Sequence, residues 1–527
     1  MPATEQGAAR PRGPADLIVV SDLHLGRGLD PATKRYHRLE AFFYDEDFRA
    51  FCRWACADAA ARGGPMTLVL NGDVFDLLRI EPEIPPEGTS LEKRFGALTT
   101  PPVAARMVAD ILAGHPPFVE ALADVLAAQH DVVLLCGNHD LEMQWPQVQE
   151  EIRRALAKPL EARRSPGALS RLRFEPWFHY EPGRIWIEHG CQYDPENAFR
   201  FPLRSRLAGS PDVADVLERD MPLGNFFQRY LYNAFGQITF IVPSSRANYR
   251  YFRFLLANLP RLLMRVAFSQ GRFVLQLLRR LARAAAHDWQ HAAEAAHHAE
   301  LQELEQRSGL GDKLRAIDAL KFRGADAAGA LTGMMKQAVK FVAGGIGTAV
   351  LALALLTAAS HAIEALTVGF GWKALLSLVL YLTFGALAAS ALVAAAVRIP
   401  GDEPVRPLRA AAERIGELLD VPIVTFGHTH DEVVSAIERA SGRGWYFNTG
   451  TWLAVFTHDV LMPRERVQYT FLRVRGYEAE LLQWSPGRGR EMPVVLLEEG
   501  PEVGLIATPP GEERPTPVPD AAARRSA

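Results

Sequence analysis

Cysteine is scarce: four residues (Cys52, Cys56, Cys136 and Cys191) in a chain of 527, too few for a disulfide framework. The N-terminus lacks a charged head followed by an apolar core, so no secretory signal is expected. An excess of one charge is also missing. A formal net charge of −3 gives no global attraction to nucleic acid, and any basic surface must be local. These absences point to a reducing, cytoplasmic catalytic domain. Cys52 and Cys56 stand one helical turn apart. They could hold a metal, but two thiols without nearby partners read better as small buried apolar residues.

At this length, one main domain with substantial insertions is expected. The two ends, 1–14 and 501–527, are rich in Ala, Pro, Gly, Glu and Arg without periodicity, and both are expected to be disordered. Between them, apolar runs stop abruptly in polar clusters: Leu17 to Val20 before Ser-Asp, Thr67 to Leu70 before Asn-Gly-Asp, and Val132 to Cys136 before Gly-Asn-His-Asp. Such runs read as buried strands that deliver polar residues at their C-terminal ends. Further strands are predicted at Arg184 to Glu188, Pro422 to Phe426, Trp445 to Asn448, Val467 to Arg473 and Tyr477 to Gln483, and helices at Asp47 to Ala61 and Val103 to Gln129. The alternation predicts an α/β fold. From about Arg204 to Leu408 the rhythm lapses into helical composition and then resumes. The expected division is therefore one domain in two parts, 15–203 and 401–500, interrupted by a helical insertion.

The polar residues at the predicted strand ends are Asp22 and His24, Asp73 with Asp76, Asn138 with His139 and Asp140, Glu188 with His189, and His428 with His430. Each has a bland reading as a cap or turn residue. Taken together, carboxylates, imidazoles and one amide are the mixture that two adjacent divalent transition metals bind, with one carboxylate able to bridge.

The strings Ser-Asp-Leu-His-Leu-Gly (21–26), Asn-Gly-Asp-Val-Phe-Asp (71–76), Gly-Asn-His-Asp (137–140), Glu-His-Gly (188–190) and Gly-His-Thr-His (427–430) resemble the calcineurin-like metallophosphoesterase superfamily. The resemblance covers roughly 15–200 and 405–490. It implies a two-sheet α/β sandwich flanked by helices, with a dimetal centre at the strand ends. By that pattern Asp22, His24 and His430 would bind one ion, Asn138, His189 and His428 the other, and Asp73 would bridge. The two ions could be Mn, Fe, Zn, Co or Ni, with Mn the first guess. The implied activity is hydrolysis of a phosphoester or pyrophosphate by a hydroxide shared between the ions. His139 would donate to the leaving group or to a phosphoryl oxygen, and Asp140 would either orient it or bind backbone amides. Asp76 is left between a role beside the ligands and one in a substrate loop, with metal ligation the less favoured alternative. Asn448 to Trp452 resembles the family's closing turn, lining the site without binding metal.

Two apolar stretches, Phe341 to Ser360 and Ala374 to Val397, carry no charged side chain, and each would cross about 30 Å of hydrocarbon as a helix. The alternative is a pair of buried core helices. A transmembrane hairpin over 336–400 is expected, with both outer ends flanked by Lys336, Lys340, Arg398, Arg406 and Arg409 and hence cytoplasmic. The preceding insertion, 204–335, contains a basic, apolar segment from Tyr251 to Ala286, read as lying on an anionic lipid surface; a core-packed helix or a nucleic-acid surface are the alternatives. His287, His291, His297 and His298 read as a solvent-facing helix, not a metal site.

These expectations describe a phosphohydrolase at the inner membrane, its catalytic domain facing the cytoplasm, with a phosphate-containing substrate that the membrane reading would make lipid-linked. Two strings are similar to those of bacterial UDP-diacylglucosamine pyrophosphatases. However, His139 stands where that subgroup is expected to carry Arg, and the long insertion is a second departure. The rival readings are a nuclease or cyclic-nucleotide phosphodiesterase acting on soluble substrates, and a non-catalytic, metal-stabilised membrane scaffold.

Overall fold

The computed structural model describes residues 14–80, 99–204, 206–207, 218–222, 224–225, 228–229, 233, 287–322, 353–397, 405–454, 467 and 469–494; the side chains of 206–207, 218–219, 287–292, 386–397 and 405–406 are left out of the description. The expected disordered ends and the basic segment Tyr251 to Ala286 lie outside these residues.

The chain is a mixed α/β fold on two mixed sheets. The first has the order β14-β13-β12-β1-β2-β3-β4. It contains β1 (Asp16–Val20), β2 (Met66–Asn71), β3 (Asp131–Leu135), β4 (Leu172–Glu175), β12 (Thr470–Arg475), β13 (Glu478–Ser485) and β14 (Arg490–Pro493). Strands β1 to β4 run parallel, and β12 joins β1 antiparallel with Ile18 opposite Arg473. The second sheet, β10-β11-β9-β6-β5, contains β5 (Phe178–Glu181), β6 (Ile185–Glu188), β9 (Ile423–Phe426), β10 (Glu432–Arg439) and β11 (Gly442–Thr449). Here β6, β9 and β11 are parallel, with Ile185 beside Ile423. Both sheets are thus completed by strands from opposite ends of the chain. A small ribbon pairs β7 (Arg206–Leu207) with β8 (Glu218–Arg219).

Apolar alternation along these strands explains the layering. Leu17, Val19, Val69, Val133 and Leu135 of the first sheet pack against Ile185, Ile187, Ile423 and Phe447 of the second, closing the space between them. The outer face of the first sheet is covered by α1 (Asp45–Arg62), α2 (Pro101–Gly114), α3 (Pro116–Ala127) and α4 (Pro146–Ala162). In α1 the buried positions Phe48, Phe51, Cys52, Ala55 and Ala59 follow helical spacing. The three acidic residues of its first turn suit the positive end of the helix dipole, and Gly63 at φ 67° closes it. The helix expected from Val103 to Gln129 is two helices, because Pro116 and Pro117 cannot continue α2 but can begin α3. Cys52 is buried in this layer, and no metal-holding group among the described residues includes it or Cys56.

The outer face of the second sheet is covered by α5 (His287–Ser308), α6 (Asp312–Asp318) and α8 (Val405–Leu419). Leu301, Leu304, Leu314 and Ile317 share a core with Trp177, Trp186 and Phe426. Part of the expected insertion is therefore a lid on the second sheet. His297, read as solvent-facing, is buried 3.5 Å from Asp318, whereas His298 is exposed.

The transmembrane hairpin is not supported. Of the first apolar stretch, 341–352 lies outside the described residues. The second stretch belongs to α7 (Phe370–Val397), which carries Lys373 in its first turn. No helix among the described residues is long and apolar enough to cross a membrane.

Candidate metal centre

Because β1, β2 and β3 are parallel, as are β6 and β9, the polar residues after them gather along one edge of the two sheets. The turns are tight. A Cβ on Gly137 would sit 2.2 Å from Asp73 Oδ1, and one on Gly72, already at φ 78°, would sit 2.6 Å from the His189 ring. Asp22, His24, Asp73, His428 and His430 all adopt positive φ, between 49° and 74°. Such backbone conformations are disfavoured for non-glycine residues and collect at functional sites.

Three groups of side chains converge so that one ligand atom from each lies within 4.8 Å of the others: Asp22, His24 and His430; Asp73, His189 and His428; and His24, Asp76 and His139. In the first, His24 Nε2 lies 3.0 Å from His430 Nε2 and 3.8 Å from Asp22 Oδ1. In the second, His189 Nε2 lies 3.2 Å from Asp73 Oδ2 and 3.3 Å from Asn138 Oδ1. Asp73 Oδ2 is also 3.7 Å from His24 Nε2, so this carboxylate stands between the two groups.

The hydrogen bonds indicate which atoms are free to ligate. His189 Nδ1 lies 2.9 Å from the Asn71 carbonyl, which can only accept, so Nδ1 carries a proton and Nε2, on giving up its own, is the nitrogen that can offer a lone pair. His428 Nε2 lies 3.0 Å from Asp194 Oδ2. His428 Nδ1 is buried without a hydrogen-bond partner, as a ligand atom would be, and Asp22 Oδ1 faces imidazole nitrogens, 3.3 Å from His430 Nε2 and 3.8 Å from His24 Nε2. The set of imidazole nitrogens, carboxylate oxygens and one amide oxygen fits a pair of divalent cations.

The electrostatics agree. Burial alone would lower the His24 pKa, but Asp22, Asp76 and Asp73 outweigh it and raise it to about 10. Burial is likewise overcome at His189 by the Asp73 and Asp22 charges, to about 9. Asp22 and Asp73 are held below the usual carboxylate range by the surrounding histidines in spite of their burial. Burial lowers His430 even against its hydrogen bond to Asp22. The buried carboxylates thus draw positive charge into the cleft, a demand that a bound cation also meets.

His139 stands beside these groups, its ring edge-on to His24 with centroids 4.6 Å apart. Its Nδ1 lies 2.8 Å from Asp76 Oδ1. Asp76 is buried, its other oxygen 3.0 Å from Arg79 Nε and 3.4 Å from His24 Nδ1. The carboxylate that orients His139 is therefore Asp76 and not Asp140. Asp140 turns back to accept backbone N–H groups of Gly137 (2.7 Å), Val74 (2.8 Å), Phe75 (3.1 Å) and Asp73 (3.3 Å), and so joins the second and third strand-end turns. The closing turn is also structural. Thr451 Oγ1 donates to the Asp22 carbonyl at 2.7 Å, and Asn448 Nδ2 to that of Gly427 at 2.7 Å.

Two contacts had no sequence signal strong enough to single them out. Asp194, beside His428, lies just beyond the Glu-His-Gly string, and that proximity was its only marker. Asn225, which pairs with Asn138, lies in the irregular stretch and had none. In comparison with known proteins, no family model matches the chain, and no curated protein matches it.

Proposed function

We propose that this protein is a two-metal phosphoesterase that hydrolyses a phosphoester or pyrophosphate, in the manner of the calcineurin-like enzymes its strand-end strings resemble. The observation that carries this reading is the convergence of Asp22, His24 and His430 with Asp73, His189 and His428, with the Asp73 carboxylate between the two groups and His139 at their side. One ion would be held by Asp22, His24 and His430, the other by Asn138, His189 and His428, with Asp73 shared. Divalent ions held there would acidify a water and neutralise charge on the phosphoryl oxygens. The remaining chemistry belongs to the protein. Asp76 holds His139 Nδ1, which leaves Nε2 to carry the proton to the leaving oxygen. Asp140, through its four backbone contacts, fixes the turns that aim Asp73 and Asn138.

The lipid-linked substrate of the sequence reading drew on the transmembrane hairpin, on the basic segment before it, which lies outside the described residues, and on two strings; without the hairpin it is not carried forward. The test is hydrolysis of an aryl phosphodiester, an aryl phosphomonoester and a nucleotide pyrophosphate in added Mn²⁺, comparing the wild type with Asp73→Ala. Metal-dependent turnover on at least one substrate, falling by more than about 10³-fold in the variant, is expected. Absence of metal-dependent turnover on all three would overturn the proposal.

A further inference from the structure

One contact at the centre comes from outside the strand-end turns. Asn225 occupies a helical turn in the stretch between the two parts of the catalytic fold, and it is buried. Its Nδ2 lies 2.6 Å from the Asn138 backbone carbonyl, and its Oδ1 lies 3.1 Å from Asn138 Nδ2. A carbonyl can only accept, so the Asn225 atom facing it is the donating nitrogen, and Oδ1 is the atom left to meet Asn138. That oxygen can only accept, so the Asn138 atom it meets must be its NH₂ group. This chain of constraints fixes the Asn138 amide: Nδ2 faces Asn225 and Oδ1 faces His189 Nε2, 3.3 Å away. Only the oxygen of an asparagine amide offers a lone pair to a hard or borderline cation; the reverse orientation would turn two N–H dipoles toward it.

The turn that carries Asn225 is itself anchored. Gly224 N donates to the Glu196 carbonyl at 2.9 Å, and the fit is close, since a Cβ on Gly224 would meet Asn197 Oδ1 at 2.6 Å. Asn197 Nδ2 donates to Asp194 Oδ2 at 2.8 Å, the oxygen that lies 3.0 Å from His428 Nε2. A continuous set of contacts therefore links Asn138 to His428 around the outside of one half of the centre.

We infer that Asn225 is a positioning residue. It locks the amide oxygen of Asn138 toward the ion shared with His189 and His428, and so makes the occupancy of that ion depend on docking of the inserted turn. The inference rests on the two-ion reading above. Substitutions of residues that orient metal ligands typically weaken metal affinity about 10- to 100-fold. The experiment is calorimetric titration of the metal-stripped full chain with Mn²⁺, for the wild type, Asn225→Ala and Asn225→Asp. The aspartate keeps an acceptor for Asn138 Nδ2 and loses the donor to the carbonyl. The wild type should bind two ions. Asn225→Ala should weaken one of them about 10- to 100-fold and leave the other within about twofold, with Asn225→Asp falling between. Affinities within about twofold of wild type at both ions, or an equal loss at both, would overturn the inference. Should the alanine variant fail to fold, the aspartate variant's selective loss at one ion decides the matter by the same criteria. A wild type that binds fewer than two ions would overturn the phosphoesterase reading itself, a result distinct from any of these.

Discussion

Among the described residues, the histidines and carboxylates gathered at the strand ends differ in character from a buried group just behind them. At the strand ends, imidazoles face one another and face carboxylates, and His428 Nδ1 has no hydrogen-bond partner. Behind the first of these turns, Glu40, Asp45 and His115 form the other cluster. There Glu40 accepts backbone N–H groups from Gly26 (3.1 Å), Gly28 (2.5 Å), Ala41 (3.0 Å) and Phe42 (2.9 Å). His115 lies 2.9 Å from Asp45 and 3.5 Å from Glu40. In both places carboxylates outweigh burial and raise a histidine pKa, His115 to about 9. The difference is convergence: the carboxylate oxygens of Glu40 are taken up by the loop they hold, and no metal-holding group among the described residues includes Glu40, Asp45 or His115, whereas the strand-end residues form three. Neither a raised histidine pKa nor a single unpartnered buried nitrogen, such as His115 Nε2, marks a metal site; convergence of several ligand atoms from separate turns does.

That contrast can be broken by substitution. His139→Ala should lower turnover about 10²- to 10⁴-fold while the melting temperature and the number of bound ions hold, read by steady-state kinetics and elemental analysis; a large loss of stability would place His139 with the structural cluster. Asp76→Asn should have a smaller effect, about 10- to 100-fold, with its loss mainly in kcat. His115→Gln should act in the opposite way, leaving metal content and kcat unchanged and altering stability. The folded pKa of His115 is raised from 6.5 to about 9, so its contribution is complete below pH 6.5 and is lost as pH rises through about 9. The wild type should therefore lose on the order of 3 kcal/mol over that interval, and the variant should show a shallower slope in urea midpoints. Equal slopes would remove His115 from the account.

The sequence made the strand ends legible because a buried strand followed by Gly, Asp, Asn or His is a local pattern, and both sheets are assembled from such units. It did not show that Asp76 and not Asp140 faces His139, because both lie in the right strings and the choice depends on how the Gly137 turn folds back over Asp73. Asn225 was illegible for a different reason. It is 87 residues from Asn138 and in no periodic segment, so only the folded contact reveals it. Composition misled most in the helical stretch, where length and apolarity suggested a membrane hairpin and a solvent-facing His297. Packing of α5 and α6 on the second sheet decided against the latter.

The central claim is that the strand-end residues hold two ions at once, with Asp73 between them. Anomalous diffraction from crystals soaked in Mn²⁺ tests it directly. The account predicts two peaks about 3.5–4 Å apart, one among Asp22, His24 and His430 and one among Asn138, His189 and His428, both in contact with Asp73. No peak at the strand ends, or a single one that leaves either group without metal, would contradict it.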